Sequence, residues 1–393
     1  MNLINKFRRT THSTSFIPEI DGLRFFAIIT VIFYHLNTAY LRNIGLDLTQ
    51  WKETVDMSPY TGIGWWFVRF DVGVKVFFAI SGFILAMPFL KQYLNDGKKV
   101  QLGDYFVRRL TRLEPPFIIS LIVFYIVQVF FLHEDFGALF PHFLAGLTYT
   151  HVFIYGEPNP INPVTWSLET EAQFYIILPF LMTLLFAIKH RLFRLVFIVL
   201  LIILSIYAKS YFFYEKVPHL ESSILAYLTN FVSGAFFAWI FLSFQSFFKK
   251  DKHLLFDLVG LVAILMMFTW YKPQAYWLNN ILLNLSIIGL FLSVFKGQLF
   301  NWFFTRPCVY LLGGMCYSLY LLHFAFFFLV LKYSSKIPSL GNYWIDLMLQ
   351  FVVVIPLFLV VAGLFFLWIE KPCMNKDWMS NLLTTIKIKL GLI

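Results

Sequence analysis

Asp21-Gly22-Leu23-Arg24 opens an apolar run, FFAIITVIFY over residues 25–34, that closes on His35. The run has the length of a membrane helix, yet a plain anchor would carry neither the arginine nor the histidine. Eleven residues separate the two. At 100° per residue this is three turns plus about 20°, so Arg24 and His35 share a helix face about 16 Å apart along the axis. Ionisable groups inside a bilayer are costly and tend to face a protein interior or a wet cavity. The pair is therefore a candidate functional site.

The rest of the chain has the same character. Of 393 residues, 59% are hydrophobic and 13% are charged, with a mean hydropathy of +0.73. A water-soluble domain cannot cover that much apolar surface, so an all-α, polytopic integral membrane protein is expected. Apolar segments of spanning length fall near 17–40, 67–90, 113–132, 166–188, 195–213, 222–247, 254–271, 276–295, 308–331 and 345–369, about ten transmembrane helices. One membrane domain, 17–370, is expected between an N-terminal segment, 1–16, and a C-terminal tail, 371–393, with no internal repeat. Lys6, Arg8 and Arg9 before the first apolar run imitate a signal peptide. That run holds Arg24 and His35 and lacks a clear small-residue cleavage site, so it reads as a retained helix. Cys308, Cys316 and Cys373 have neither metal-ligand spacing nor the pattern of a disulfide framework, and no metal is expected.

The formal net charge of +10 belongs to short inter-helix loops, where it sets topology and does not point to nucleic acid. With the N-terminus in the cytoplasm, the inner loops hold 21 of the 31 Lys and Arg residues and the outer loops hold 6. Arg24, Arg69, Lys75 and Lys209 lie within or beside spans. This bias places both termini inside. Segment 136–155 is apolar but contains Pro141, His142, Gly146 and His151. If it spanned, the downstream charge bias would reverse, so a re-entrant or interfacial piece on the outer side is expected.

Counting along the spans puts several polar groups at a similar outer depth: His35, the Asp71 and Lys75 pair, Glu169 or Glu171, and His323, with Ser81 near the middle. Each is costly alone and less so in a shared hydrated pocket. Each also has a plainer reading. His323, Glu169 or Lys75 taken singly can reach interfacial water, and Asp71 with Lys75 can be an i,i+4 ion pair. Glu169 and Glu171 are 200° apart on a helix, and spacing does not choose between them. Arg109 and Arg112 are i,i+3 neighbours suited to clamping phosphate, or else a topology signal at anionic headgroups.

In this order the segments resemble the acyltransferase 3 family of integral-membrane O-acyltransferases. The carriers are Asp21-Gly22-Leu23-Arg24 to His35; Gly73-Val74 with Phe77-Phe78 and Ser81-Gly82-Phe83; Arg108-Arg109 with Arg112 and Pro115; Trp166-Ser167-Leu168 with Glu171 and Phe174-Tyr175; Tyr317-Ser318-Leu319-Tyr320 to His323; and Ile369-Glu370-Lys371-Pro372. The resemblance covers residues 18–372. It implies transfer of an acyl group, commonly acetyl from cytoplasmic acetyl-CoA, to a hydroxyl of a glycan or glycolipid acceptor beyond the plasma membrane. It selects Glu171 over Glu169.

Under that reading His35 is the expected catalytic residue, as general base or as transient acyl carrier. Arg24 contacts the donor, Glu171 orients the imidazole or binds acceptor hydroxyls, and Ser81 donates toward a developing oxyanion. Arg108, Arg109 and Arg112 hold the anionic acyl-CoA. Asp71, Lys75, Trp166, Tyr175 and His323 line the substrate site. The chain also lacks the hydrolase-like domain that some relatives append, which implies a stand-alone enzyme; its oligomeric state is left open. The alternatives are a proton-coupled transporter or exporter, disfavoured by the absence of a repeat, and a non-catalytic partner of an acylating complex.

Overall fold

The computed structural model describes residues 6–9, 16–59, 61–94, 97–270, 277–334, 336–375 and 378. Most of segments 1–16 and 371–393 lies outside the described residues. The long helices are α1 Pro18–Asn43, α2 Gly73–Leu94, α3 Leu102–Phe131, α4 Phe136–Leu147, α5 His151–Tyr155, α6 Trp166–Ala187, α7 Arg191–Tyr214, α8 Ile224–Ser243, α9 Leu254–Trp270, α10 Trp277–Lys296, α11 Pro307–Gly314, α12 Cys316–Ser334 and α13 Tyr343–Phe365, with α4, α5 and α11 as short intervening pieces. Among the described residues nine helical segments are long and apolar enough to cross a membrane, and α9 is a shorter apolar helix of 17 residues. The protein is an all-α, multi-pass membrane protein.

α1 lies in the middle, with α2 on one side and α11 and α12 on the other, while α2 packs along α8 and α9 along α10. The most apolar stretch of the Ile63–Leu94 segment, which contains α2, is 78% buried, against 11% for the segment that contains α7. The charged motifs of α1 and α2 therefore lie inside the bundle, and α7 offers lipid its leucines and isoleucines. Arg24 and His35 have a sheltered setting for this reason.

Three elements refine the sequence expectations. The span expected near 308–331 is broken after Gly314, and α12 starts at Cys316. A Cβ at Gly313 would collide with the Asp21 carbonyl, so the glycine lets α11 touch α1. Glu370 then caps α12, its Oε2 accepting from Ser318 N–H at 2.9 Å, where a carboxylate suits a helix N-terminus. The third span begins at Leu102 and carries Arg108, Arg109 and Arg112 within one continuous helix.

Segment 136–155 folds as α4 and α5. The 12 residues of α4 extend about 18 Å, too short for a bilayer core of about 30 Å. At the turn between them Tyr149 takes a left-handed conformation with φ 56°. Its hydroxyl donates to Glu114 at 3.0 Å and its ring stacks on Phe117 at 5.0 Å, so the turn reaches the middle of α3. The segment is a short helical hairpin packed against α3.

Candidate functional site

The site is built around α1 and falls into four groups. The first joins α1 to α12. His35 Nδ1 and His323 Nε2 are 2.9 Å apart, and His323 Nδ1 lies 2.7 Å from the Tyr320 carbonyl oxygen. Tyr320 is one turn before His323, and its hydroxyl is 2.6 Å from Ser167 Oγ. A carbonyl oxygen can only accept, so His323 Nδ1 carries the hydrogen. With both rings neutral, His323 Nε2 is then an acceptor and His35 Nδ1 must be the donor. That leaves the lone pair of His35 on Nε2. His323 is completely buried, and the Phe324 ring meets His35 edge-on at 5.5 Å.

The second group lies on α2, α3 and α6. Ser81 Oγ donates to Glu171 Oε1 at 2.5 Å, and Tyr175, one turn on, also bonds the Glu171 carboxylate. The Arg109 guanidinium sits 3.6 Å over the Tyr105 ring and 5.7 Å from Tyr175, within electrostatic range of Glu171. Glu169, on the other side of α6, accepts the Val152 N–H at 3.0 Å and anchors α5. The two glutamates thus have separate surroundings, as their angular spacing requires. The hydrogen bonds of Glu171 go to Ser81 and Tyr175, and the ring of His35 is oriented by His323.

The third group is charged and surrounds Arg24. Asp21 pairs with Arg24 at 2.5 Å, as i,i+3 neighbours, and with Arg9 at 3.1 Å. Arg112 is within electrostatic range of Arg9, Asp21 and Glu370. The expected arginine clamp is therefore divided. Arg108 is exposed, whereas Arg109 and Arg112 are half-buried, Arg109 donating to the Tyr105 carbonyl at 2.7 Å and Arg112 lying within electrostatic range of Glu370 and Asp21. A cavity of about 430 Å³ opens at the Arg24 end of α1.

The fourth group gathers Asp71, Lys75 and Trp166. Lys75 Nζ pairs with Asp71 at 3.0 Å. Trp166 packs on Phe78 and Tyr227, with ring centroids 6.2 and 5.5 Å apart. Lys209 lies 4.8 Å over Tyr227 and within range of Lys75 and Asp71. At the His35 end of the bundle a second cavity, of about 270 Å³, is lined by Arg42, Gln128, Glu134, Phe324 and Phe328. Phe324, which lines it, is the residue whose ring meets His35. Among the described residues no group of three or more His, Cys, Asp or Glu side chains could hold a metal.

A family profile described as an acyltransferase domain, of the acyltransferase 3 type, matches residues 17–367. The chain belongs to the acyltransferase 3 family. It is 25% identical over 391 residues to the O-acetyltransferase OatA of Staphylococcus aureus, an alignment covering 93% of this chain and 58% of the relative. It is 26% identical over 402 residues to the peptidoglycan O-acetyltransferase OatA of Listeria monocytogenes, covering 95% and 58%. The chain thus spans about three-fifths of the length of these curated relatives. No solved structure matches.

Within this acyltransferase 3 chain, Asp21, Tyr320 and Lys209 were named in the sequence without a place in the candidate site. Asp21 had a signal, since it stands i,i+3 from Arg24 on an apolar helix. Tyr320 had one too, i,i+3 from His323. Lys209 had only its position inside an apolar run, and its partners come from other helices.

Proposed function

We propose that the protein is a membrane O-acetyltransferase of the plasma membrane, moving an acetyl group from acyl-CoA on the cytoplasmic side to a hydroxyl of a surface glycan. The observation that carries this reading is the hydrogen-bonded sequence from the Tyr320 carbonyl through His323 to His35, which leaves a free lone pair on His35 Nε2. Family membership and the names of the relatives support the reaction class. The 21-to-6 distribution of basic residues supports an orientation with the Arg24 end of α1 toward the cytoplasm.

A sugar hydroxyl is a weak nucleophile until a base takes its proton. His35 Nε2 accepts that proton as the hydroxyl oxygen bonds to the thioester carbonyl carbon. The carbon–sulfur bond then breaks, and the CoA thiolate takes the proton from His35. His323 holds the imidazole in the required tautomer throughout, so it is a positioning residue. Arg24 stands about 16 Å below His35, a separation that an extended acyl-CoA arm can bridge.

The acceptor approaches through the cavity bordered by Phe324, whose aromatic wall and Arg42, Gln128 and Glu134 suit a sugar. Glu171, Ser81 and Tyr175 make a polar group beside the path, with Arg109 and Arg112 as its counter-charges. Asp71, Lys75 and Trp166 flank the acceptor side. Mass spectrometry of surface glycans tests the proposal. Cells with the wild-type protein should carry ester-linked acetyl groups that are lost in His35→Ala, with the variant still inserted at the normal level. Unchanged acetylation in that variant would refute the assignment of His35.

A further inference from the structure

The α4–α5 hairpin repeats, with a second pair of histidines, the hydrogen-bonding order of His323 and His35. His151 Nδ1 lies 3.1 Å from the Glu157 carbonyl oxygen, and His151 Nε2 lies 2.7 Å from His142 Nδ1. A carbonyl oxygen only accepts, so His151 Nδ1 carries its hydrogen. With both rings neutral, His151 Nε2 is then an acceptor and His142 Nδ1 must donate, which leaves the lone pair of His142 on Nε2. In each pair the inner histidine, His323 or His151, is completely buried, and the outer one, His35 or His142, is half-buried. Burial holds His151 below the usual histidine range, with His142 adding to the effect. Tyr155 packs against both rings, its centroid 4.2 Å from His142 and 4.7 Å from His151. Among the described residues, none takes the lone pair of His142 Nε2. The pair also adjoins the cavity at the His35 end of the bundle. Asn159 donates to the His142 carbonyl at 3.0 Å and accepts from the Ile161 N–H at 2.9 Å. Pro160, Ile161 and Leu139, which stands one turn before His142 on α4, line that cavity.

We infer that His142 Nε2 forms a binding subsite for the acyl acceptor beside this cavity, taking a hydroxyl or amide hydrogen of a neutral sugar. The inference rests on the acyl-transfer reading above and names a specificity-determining residue for it. A ring nitrogen with a lone pair selects a hydrogen-bond donor, so a sugar hydroxyl suits it and an ionised carboxylate, which can only accept, does not. The Glu157 carbonyl and His151 fix the tautomer in advance, so the sugar meets a preset acceptor. His151 is thus a positioning residue. His35 serves the hydroxyl that reacts, and His142 serves a neighbouring group that does not. A purely structural pair, pinning α4 to α5, would use only the bond between His142 Nδ1 and His151, and would need nothing of His142 Nε2.

The test uses the full-length protein in nanodiscs, with radiolabelled acetyl-CoA at fixed concentration and, as acceptor probe, surface glycan purified from cells that lack the protein. His142→Asn keeps an amide N–H near the place of Nδ1 and removes Nε2. His142→Gln does the reverse, its amide oxygen reaching the place of Nε2. The first variant should raise the acceptor KM by about three- to tenfold with kcat and the donor KM unchanged, and the second should recover part of that loss. A purely structural pair predicts the opposite order. His190→Gln, exposed just before α7, should change nothing. An unchanged acceptor KM in His142→Asn, or a change matched by loss of the folded fraction on thermal unfolding, would overturn the inference and leave the transfer reading standing. No label in the glycan with the wild-type protein would overturn the transfer reading, and the subsite with it.

Discussion

His323 has two ring nitrogens, and both are engaged in positioning: one donates to Tyr320 and the other accepts from His35. Its substitution should therefore affect turnover more than donor binding. His323→Phe is expected to lower kcat by about 10²- to 10⁴-fold with little change in the donor KM. His323→Asn, whose amide oxygen can still accept from His35, should recover part of the loss. Equal falls in kcat and in the folded fraction would instead indicate a structural role. The identities of these residues were legible in the sequence, since charges in an apolar run stand out. Their pairing was not. His323 read as one of several polar groups at one depth, and only the packing of α12 on α1 brings it to His35. Glu171 and Glu169 show the same limit: 200° of rotation separated them, but Val152 and Ser81, their partners, come from elsewhere in the chain.

At the scale of elements, the contact of α2 with α8 sets the place of Ser81. A methyl group on Gly82 would strike the Phe231 carbonyl, and one on Gly234 the Ala79 carbonyl. Small residues allow this approach of two membrane helices, and Ser81, next to Gly82, is thereby held against Glu171. Gly82→Ala should cost about 1–3 kcal/mol of stability and lower activity as Ser81 is displaced. Thermal unfolding of the purified variant checks the first effect and a transfer assay the second. Gly103→Ala at the start of α3, where no atom lies within 4 Å of an added Cβ, should change neither. Hydropathy marked the helices well because lipid demands apolar length. It missed the break at Gly314, because a glycine pair in an apolar run shows its meaning only when α1 packs against it.

For the whole molecule, the two cavities lie toward opposite ends of α1, one bordered by Arg24 and the other reaching Phe324 beside His35. Lys91, Lys249 and Lys252, counted in the sequence among the charges expected to set orientation, also line the cavity at the Arg24 end of α1. In the sequence they were legible only as topology signals, because nothing local joins the end of α2 to the start of α9. The account as a whole makes the reaction sided. Membrane vesicles of known orientation, given radiolabelled acetyl-CoA at the cytoplasmic face and a glycan acceptor at the other, test this most directly. The account predicts label in the glycan fraction with the wild-type protein and none with His35→Ala. Undiminished label with His35→Ala, or passage of substrate without acyl transfer, would contradict it.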